Sequence, residues 1–200
     1  MSILSGEELW REMGREAEPL IITPLLEKSQ VGDCSVDVRL GHEFIVLRRP
    51  SVPHIDPTHA SRESDWRANI YKWQERVRIS LFQPFVLSPG QLVLGATIEY
   101  LSVPGTIAAT LEGRSTWGRL GLVIATATGI GPGFKGCVTL ELINLGGAPV
   151  VVHPGFRIAQ IIFQRIVGAG RYSGKYDCPT GPQFSRVHEE RDLVIWGPRS

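Results

Sequence analysis

Two short stretches of this 200-residue chain hold the residues best suited to chemistry. In the first, Leu111-Glu-Gly-Arg-Ser-Thr-Trp-Gly-Arg-Leu-Gly-Leu122, a strand pattern ends at Gly113 and Ser115 is placed to cap one helical turn. Successive backbone N–H groups there, with the Arg114 guanidinium and the hydroxyls of Ser115 and Thr116, would form a cradle for phosphate. Arg119 follows Ser115 by four residues, so one turn brings both side chains to the same side. An ordinary capped turn with a solvated arginine fits the same pattern. In the second stretch, Gly131-Pro-Gly-Phe-Lys-Gly-Cys-Val-Thr-Leu-Glu-Leu-Ile-Asn144, a tight corner leads into an apolar strand that carries Glu141. That carboxylate either faces water from the strand's polar side or sits in a pocket. In a pocket its pKa rises, or a cation such as Arg119 holds it ionised.

Other chemistries find no support. Zinc nucleoside deaminases pair H-x-E with P-C-x-x-C, and no two cysteines here have that spacing. The five histidines are scattered, which argues against a transition-metal site. Cys34, Cys137 and Cys178 are odd in number and far apart, and read as reduced packing thiols of a cytoplasmic protein. There is no G-x-S-x-G, P-loop or G-x-G-x-x-G motif. A net charge of +1 gives no field to recruit nucleic acid or an anionic membrane. Neither a membrane span nor a signal peptide is expected.

The elements that must position these groups are mostly strands. Ser5 caps a short helix, with Glu8 completing a capping box and Leu9, Trp10 and Met13 on one face. The alternation of Val36, Val38, Leu40, Phe44 and Val46 predicts a half-buried strand pair around Gly41. Residues 50–75 have weak periodicity and read as a long irregular excursion. Strand patterns return near residues 77–81, 85–87, 91–100, 105–111, 122–128, 136–145, 149–152 and 157–166. Short strands, Pro-Gly corners and the 22 glycines and 14 prolines predict an all-β distorted barrel or double-sheet jelly roll. The chain divides into a β domain with its N-terminal helix, residues 1–167, and a polar tail, 168–200, expected to be a mobile lid.

Taken together, these stretches resemble the dCTP deaminase branch of the dUTPase-like superfamily. The resemblance rests on Ser35-Val-Asp-Val-Arg-Leu-Gly41, Pro89-Gly90, Glu112-Gly-Arg-Ser-Thr-Trp-Gly-Arg-Leu-Gly121 and Pro132-Gly-Phe-Lys-Gly136 with Thr139-Leu-Glu-Leu142. His153-Pro-Gly155 and the tail motifs Tyr172-Ser-Gly-Lys-Tyr176, Gly181-Pro182 and Ser185-Arg186 follow in family order. It implies a homotrimer with active sites between subunits, and hydrolytic deamination of dCTP to dUTP and ammonia without zinc. Glu141 then matches the general base, and Ser115 and Arg119 the residues that position the attacking water and steady charge. Arg114, Ser115 and Thr116 match the phosphate loop, with Mg²⁺ arriving on the triphosphate. Phe134 matches the aromatic residue under the deoxyribose, and Tyr172 and Lys175 match tail residues that close over the nucleotide. Ala127, Gly131 and Gln183 complete the implied nucleotide contacts.

Three positions depart from the family pattern. Its usual I-D-P-G-[FW] corner reads Ile130-Gly131-Pro132-Gly133-Phe134, so the aspartate that contacts the sugar 3′-hydroxyl is missing. The matching aspartate of dUTPases also orients the hydrolytic water, which weighs against dUTP diphosphatase or bifunctional chemistry. The segment Val123-Ile-Ala-Thr-Ala-Thr128 lacks the usual histidine, and Pro179 stands near the position of a usual tail glutamine. A non-catalytic nucleotide-binding protein of the same fold is the remaining alternative.

Overall fold

The computed structural model describes residues 2–48, 54–55, 70, 72–81, 83–125 and 129–192. Most of the excursion expected at 50–75 lies outside the described residues, as does Ala127. Helix α1 (Gly6–Met13) starts where expected: the Ser5 hydroxyl accepts from the Glu8 N–H at 3.3 Å, and Gly14 ends it. Leu9 is buried and Met13 packs on the core, but Trp10 is exposed. Successive helical residues are turned by roughly 100°, and the buried face passes instead through Glu12, which ion-pairs with Arg15 and Arg165.

The remaining architecture is antiparallel β. The strands are β1 (Ser2–Ile3), β2 (Ile21–Thr23), β3 (Val36–Arg39), β4 (Glu43–Leu47), β5 (Gln74–Arg78), β6 (Phe85–Leu87), β7 (Leu92–Ser102) and β8 (Ile107–Gly113). After the one-turn helix α2 (Ser115–Gly118) come β9 (Leu122–Ala125), β10 (Gly129–Ile130), β11 (Lys135–Asn144), β12 (Val150–Val152) and β13 (Arg157–Arg165). One sheet runs β1-β13-β8-β10, with β3 also on β13. The second runs β5-β4-β7-β11-β9, with β2 also on β7, and β12-β6 form a separate ribbon. This is the expected all-β, distorted barrel or jelly-roll class, with sheets that do not close into one hydrogen-bonded cylinder.

The main apolar core, including Leu40, Phe44, Leu101, Leu111, Leu140 and Phe163, lies between the sheets, and a smaller cluster gathers Trp73, Phe184 and Val187 around buried Ile70. Period-two alternation turns one face of each strand into the main core. The strands around Gly41 do not pair with each other: β3 bonds to β13 and β4 to β5 and β7. The chain changes sheets there, with the Gly41 N–H donating to Ala96 O at 2.7 Å. A Cβ on Gly41 would lie 3.0 Å from that same oxygen. Alternation reports which face is buried and leaves the partner strand open. All three cysteines are free, and only Cys137 is buried, so the packing role expected of Cys34 and Cys178 is not met.

One buried polar group holds the end of β11. Asn144 is fully buried; its Nδ2 donates to Leu87 O at 2.9 Å and Ala148 O at 2.8 Å, while its Oδ1 accepts from the Gly146 N–H at 2.9 Å. Asn144→Ala removes all three bonds, but only the Leu87 carbonyl is left buried, since Ala148 is exposed and Gly146 half-buried. One buried unsatisfied group costs roughly 1–3 kcal/mol, and a loss of about that size is expected as a lower urea midpoint with an unchanged denaturant slope.

Candidate active site

Glu141 faces away from the core because its neighbours face into it. Leu140 and Leu142 are both fully buried, so the alternation of β11 turns Thr139, Glu141 and Ile143 to the opposite face. There Glu141 stands between Leu94 of β7 and Ala125 of β9. The long β7–β11 ladder shifts register between Cys137 and Thr139. At the shift, Thr97 Oγ1 accepts from the Val138 N–H at 2.9 Å and donates to Glu99 O at 2.8 Å, which satisfies backbone groups the irregularity would strand.

The outer face is partly covered, and its Thr139, Glu141 and Ile143 are half-buried. The Gly131–Phe134 corner is fastened by a Val103 N–H to Phe134 O bond of 2.8 Å and a Gly133 N–H to Val103 O bond of 3.1 Å. Gly133 has φ +80, a conformation that favours glycine. The Phe134 ring meets Tyr172 edge-on at 5.3 Å, and the tail is seated by Gly170 N–H to Gly105 O at 2.8 Å and Cys137 N–H to Pro179 O at 2.7 Å. At Gly136 the fit is tight: a Cβ there would lie 2.3 Å from Pro179 Cδ. The result is a cavity of about 460 Å³ whose walls include Glu141, Thr139, Leu94, Phe134, Tyr172 and Gln183.

Glu141 is half-buried in that cavity, and burial alone pushes its carboxyl pKa up. The pocket alternative for this residue therefore holds, with desolvation as the cause. Gln74 forms another part of the wall and is 5% exposed; its Oε1 is buried with no hydrogen-bond partner among the described residues. Sequence reasoning missed Gln74 because it opens a strand at the end of the weakly periodic excursion, and a lone glutamine there carries no motif.

The Arg114–Arg119 turn is a separate construction. Arg114, not Ser115, occupies the N-cap position, and no side chain caps the turn. Ser115 is the first helical residue, so its exposed hydroxyl is not spent on capping. Trp117 Nε1 donates to Arg157 O at 2.9 Å, and Arg114 Nε lies 3.4 Å from Asp37 Oδ1. Asp37 also pairs with Arg157 at 3.4 Å, and Arg157 reaches Glu27 at 2.7 Å, so the turn is mounted on an ionic web. Within one chain, then, the structure brings Glu141, Phe134, Tyr172 and Gln183 together. Gly131 abuts them, with Tyr172 Cδ2 placed 3.4 Å from a Cβ built there. Arg114, Ser115, Thr116 and Arg119 form no part of the cavity wall, nor does Lys175, which pairs with Glu190.

A double-sheet β protein with a desolvated carboxylate in an aromatic-walled cavity is a small-molecule site of a well-defined class. The comparisons narrow that class. A family model described as dCTP deaminase-like matches residues 3–166, and the chain belongs to that family. A relative named dCTP deaminase, from Halorubrum lacusprofundi, is 42% identical over 87% of this chain and 86% of its own length. One named dCTP deaminase, dUMP-forming, from Methanosphaera stadtmanae, is 33% identical over 98% of this chain and 100% of its own. Among solved structures, the 2′-deoxycytidine 5′-triphosphate deaminase from Agrobacterium tumefaciens aligns with TM-score 0.59 and 26% identity over 80% of this chain. The alignment spans 46%, under half, of that protein's chain.

The raised Glu141 pKa has a signed consequence for stability. Below the unfolded-state value both states carry the proton and the burial penalty vanishes; above the folded-state value it is fully present. Glu141→Gln is therefore expected to have a higher Tm than the wild type at pH 7, with the gap closing towards pH 4. Scanning calorimetry across that range checks the sign.

Proposed function

We propose that the protein hydrolyses dCTP to dUTP and ammonia, with Glu141 as the general base. The observation that carries this reading is the half-buried Glu141 carboxylate, desolvated and facing a nucleoside-sized cavity walled by Phe134 and Tyr172. A carboxylate with a raised pKa is a better proton acceptor at neutral pH than an exposed one. It takes a proton from water, and the resulting hydroxide attacks C4 of cytosine. The same carboxyl then returns the proton to the 4-amino group, which leaves as ammonia, and the proton of the added hydroxyl passes to N3 to give the 4-oxo, N3–H form of uracil. The atoms balance as dCTP plus water giving dUTP plus ammonia.

Phe134 packs beneath the deoxyribose where a 2′-hydroxyl would clash, and Tyr172, Gln183 and Lys175 close the tail over the nucleotide. Gly131 abuts Tyr172 beside the cavity, and Ala127, outside the described residues, is assigned to the nucleotide by the family resemblance alone. Ser115 and Arg119 position the water and steady developing charge, while Arg114, Ser115 and Thr116 hold the triphosphate. Because these residues stand outside the Glu141 cavity of their own chain, a second copy supplies them, in a homotrimer with sites between subunits. Among the described residues no group of three or more His, Cys, Asp or Glu side chains is arranged to hold a metal ion. In this reading Mg²⁺ belongs to the triphosphate, where it neutralises charge.

A second reading ends at dUMP, and its support is the dUMP-forming name of relatives such as the Methanosphaera stadtmanae protein. Gly131 counts against it, since no carboxylate stands at the position that orients the hydrolytic water in dUTPases. Incubation with dCTP and Mg²⁺ should yield dUTP and ammonia with little dUMP or pyrophosphate. A stoichiometric yield of dUMP would favour the second reading instead.

Two further outcomes test the machinery. Glu141→Gln should lower kcat by about 10²-fold or more while leaving nucleotide affinity nearly intact, and the acid limb of the wild-type pH profile should lie above the ordinary carboxylate range. Inactive Glu141→Gln and Arg119→Ala chains, refolded together, should regain activity because mixed trimers contain sites with both residues intact. Light scattering should report a trimer, and recovery no greater than either variant alone would show that each chain works by itself.

A further inference from the structure

The tail carries little regular structure, yet Pro179, Gln183 and Ser185 form one wall of the Glu141 cavity. A residue outside that cavity holds this wall in place. Arg76, on β5, donates from one guanidinium nitrogen to Pro182 O at 2.9 Å, and its guanidinium carbon lies 5.4 Å from the centre of the Phe184 ring. These two contacts bracket Gln183. The other terminal nitrogen donates to Glu43 Oε2 at 3.0 Å. Arg78 pairs with the second oxygen of Glu43, and hydrogen bonds from Arg78 and Arg76 hold that carboxyl below its usual range. Glu43 thus fixes the plane of the Arg76 fork. The tail passes close above this cluster at Gly181, where a Cβ would lie 3.1 Å from Glu43 Oε2. One Nε2–H of Gln183 donates to Gly181 O at 2.9 Å, which orients the carboxamide and leaves its oxygen as an acceptor for a ligand N–H or O–H.

We infer that Arg76 is a positioning residue: by gripping the chain on both sides of Gln183 it holds that side chain in the nucleotide cavity without touching the nucleotide. The inference rests on the cavity being the nucleotide site. Lysine is a poor replacement, because a point charge cannot bond Glu43 and Pro182 through a planar fork while covering the Phe184 ring.

The test uses full-length Arg76→Ala and Arg76→Lys. Hydrogen exchange reads the tail without reference to activity: the amides of Gly181 and of residues 183–186 should exchange at least 10-fold faster in both variants, with β7 and β11 unchanged. With dCTP, KM should rise about 10-fold or more while kcat changes less than about threefold, and Arg76→Ala combined with Gln183→Ala should be no worse than Gln183→Ala alone. Unaltered tail exchange, or fully additive losses in the double variant, would overturn the inference. If the wild type fails to turn over dCTP, the proposed activity falls, and the exchange comparison alone still decides whether Arg76 seats the tail.

Discussion

The pairing of β7 with β11, from Lys135 opposite Ser102 to Ile143 opposite Leu92, sets the direction of the groups these strands give the cavity, Leu94, Thr139 and Glu141 among them. It places Leu140 and Leu142 in the core, and with period two the chain then has no freedom over Glu141. A carboxylate on the face of a central strand is costly to dehydrate, yet the fold accepts that cost because reversing it would expose two leucines. The register shift beside Cys137 is absorbed by the Thr97 hydroxyl, so the ladder stays bonded where it would otherwise break.

A second framework, made of charges, carries the Arg114–Arg119 turn. Glu27 bridges Arg39 and Arg157, and Asp37 bridges Arg157 and Arg114, which ties β3, β13 and the turn into one unit. Beneath it, fully buried Glu99 accepts from the Arg39 N–H at 2.8 Å and from Gln30 Nε2 at 2.9 Å, and burial pushes its pKa up. This explains the Ser35–Gly41 motif physically: its aspartate and arginine hold a turn far along the sequence. The cavity and the turn are therefore mounted on different frames. In the proposed mechanism they meet by assembly of chains and not by movement within one.

Much of this was legible in the sequence where the signal is local. Alternation located the longer strands but not the short β1, β2 and β10, and it began β5 three residues late; the Ser5 cap located the helix, and Glu141 stood out as a carboxylate in an apolar strand. What failed was what depends on distant partners. The strands on either side of Gly41 looked like neighbours because they adjoin in sequence, whereas hydrogen bonding sends them to different sheets. Ser115 looked like a cap, but the backbone turns one residue earlier, at Arg114. Gln74 and Arg76 were invisible because their roles are set by residues far away in the chain, Pro182 and Phe184 in the case of Arg76. No pattern within a single strand encodes such a contact.

The meeting of Gly136 and Pro179 bears on how this protein can diverge. Gly136 has φ +139 and no space for a methyl group beneath the proline ring, and the adjoining Cys137 N–H is bonded to the Pro179 carbonyl. The two positions are thus a lock and its key carried on segments about forty residues apart. A chain with a larger or differently shaped residue at position 179 would need this notch cut differently. Tails are consequently not interchangeable parts: one without the proline would arrive without the surface Gly136 is fitted to, and changes at the two sites are expected to be coupled.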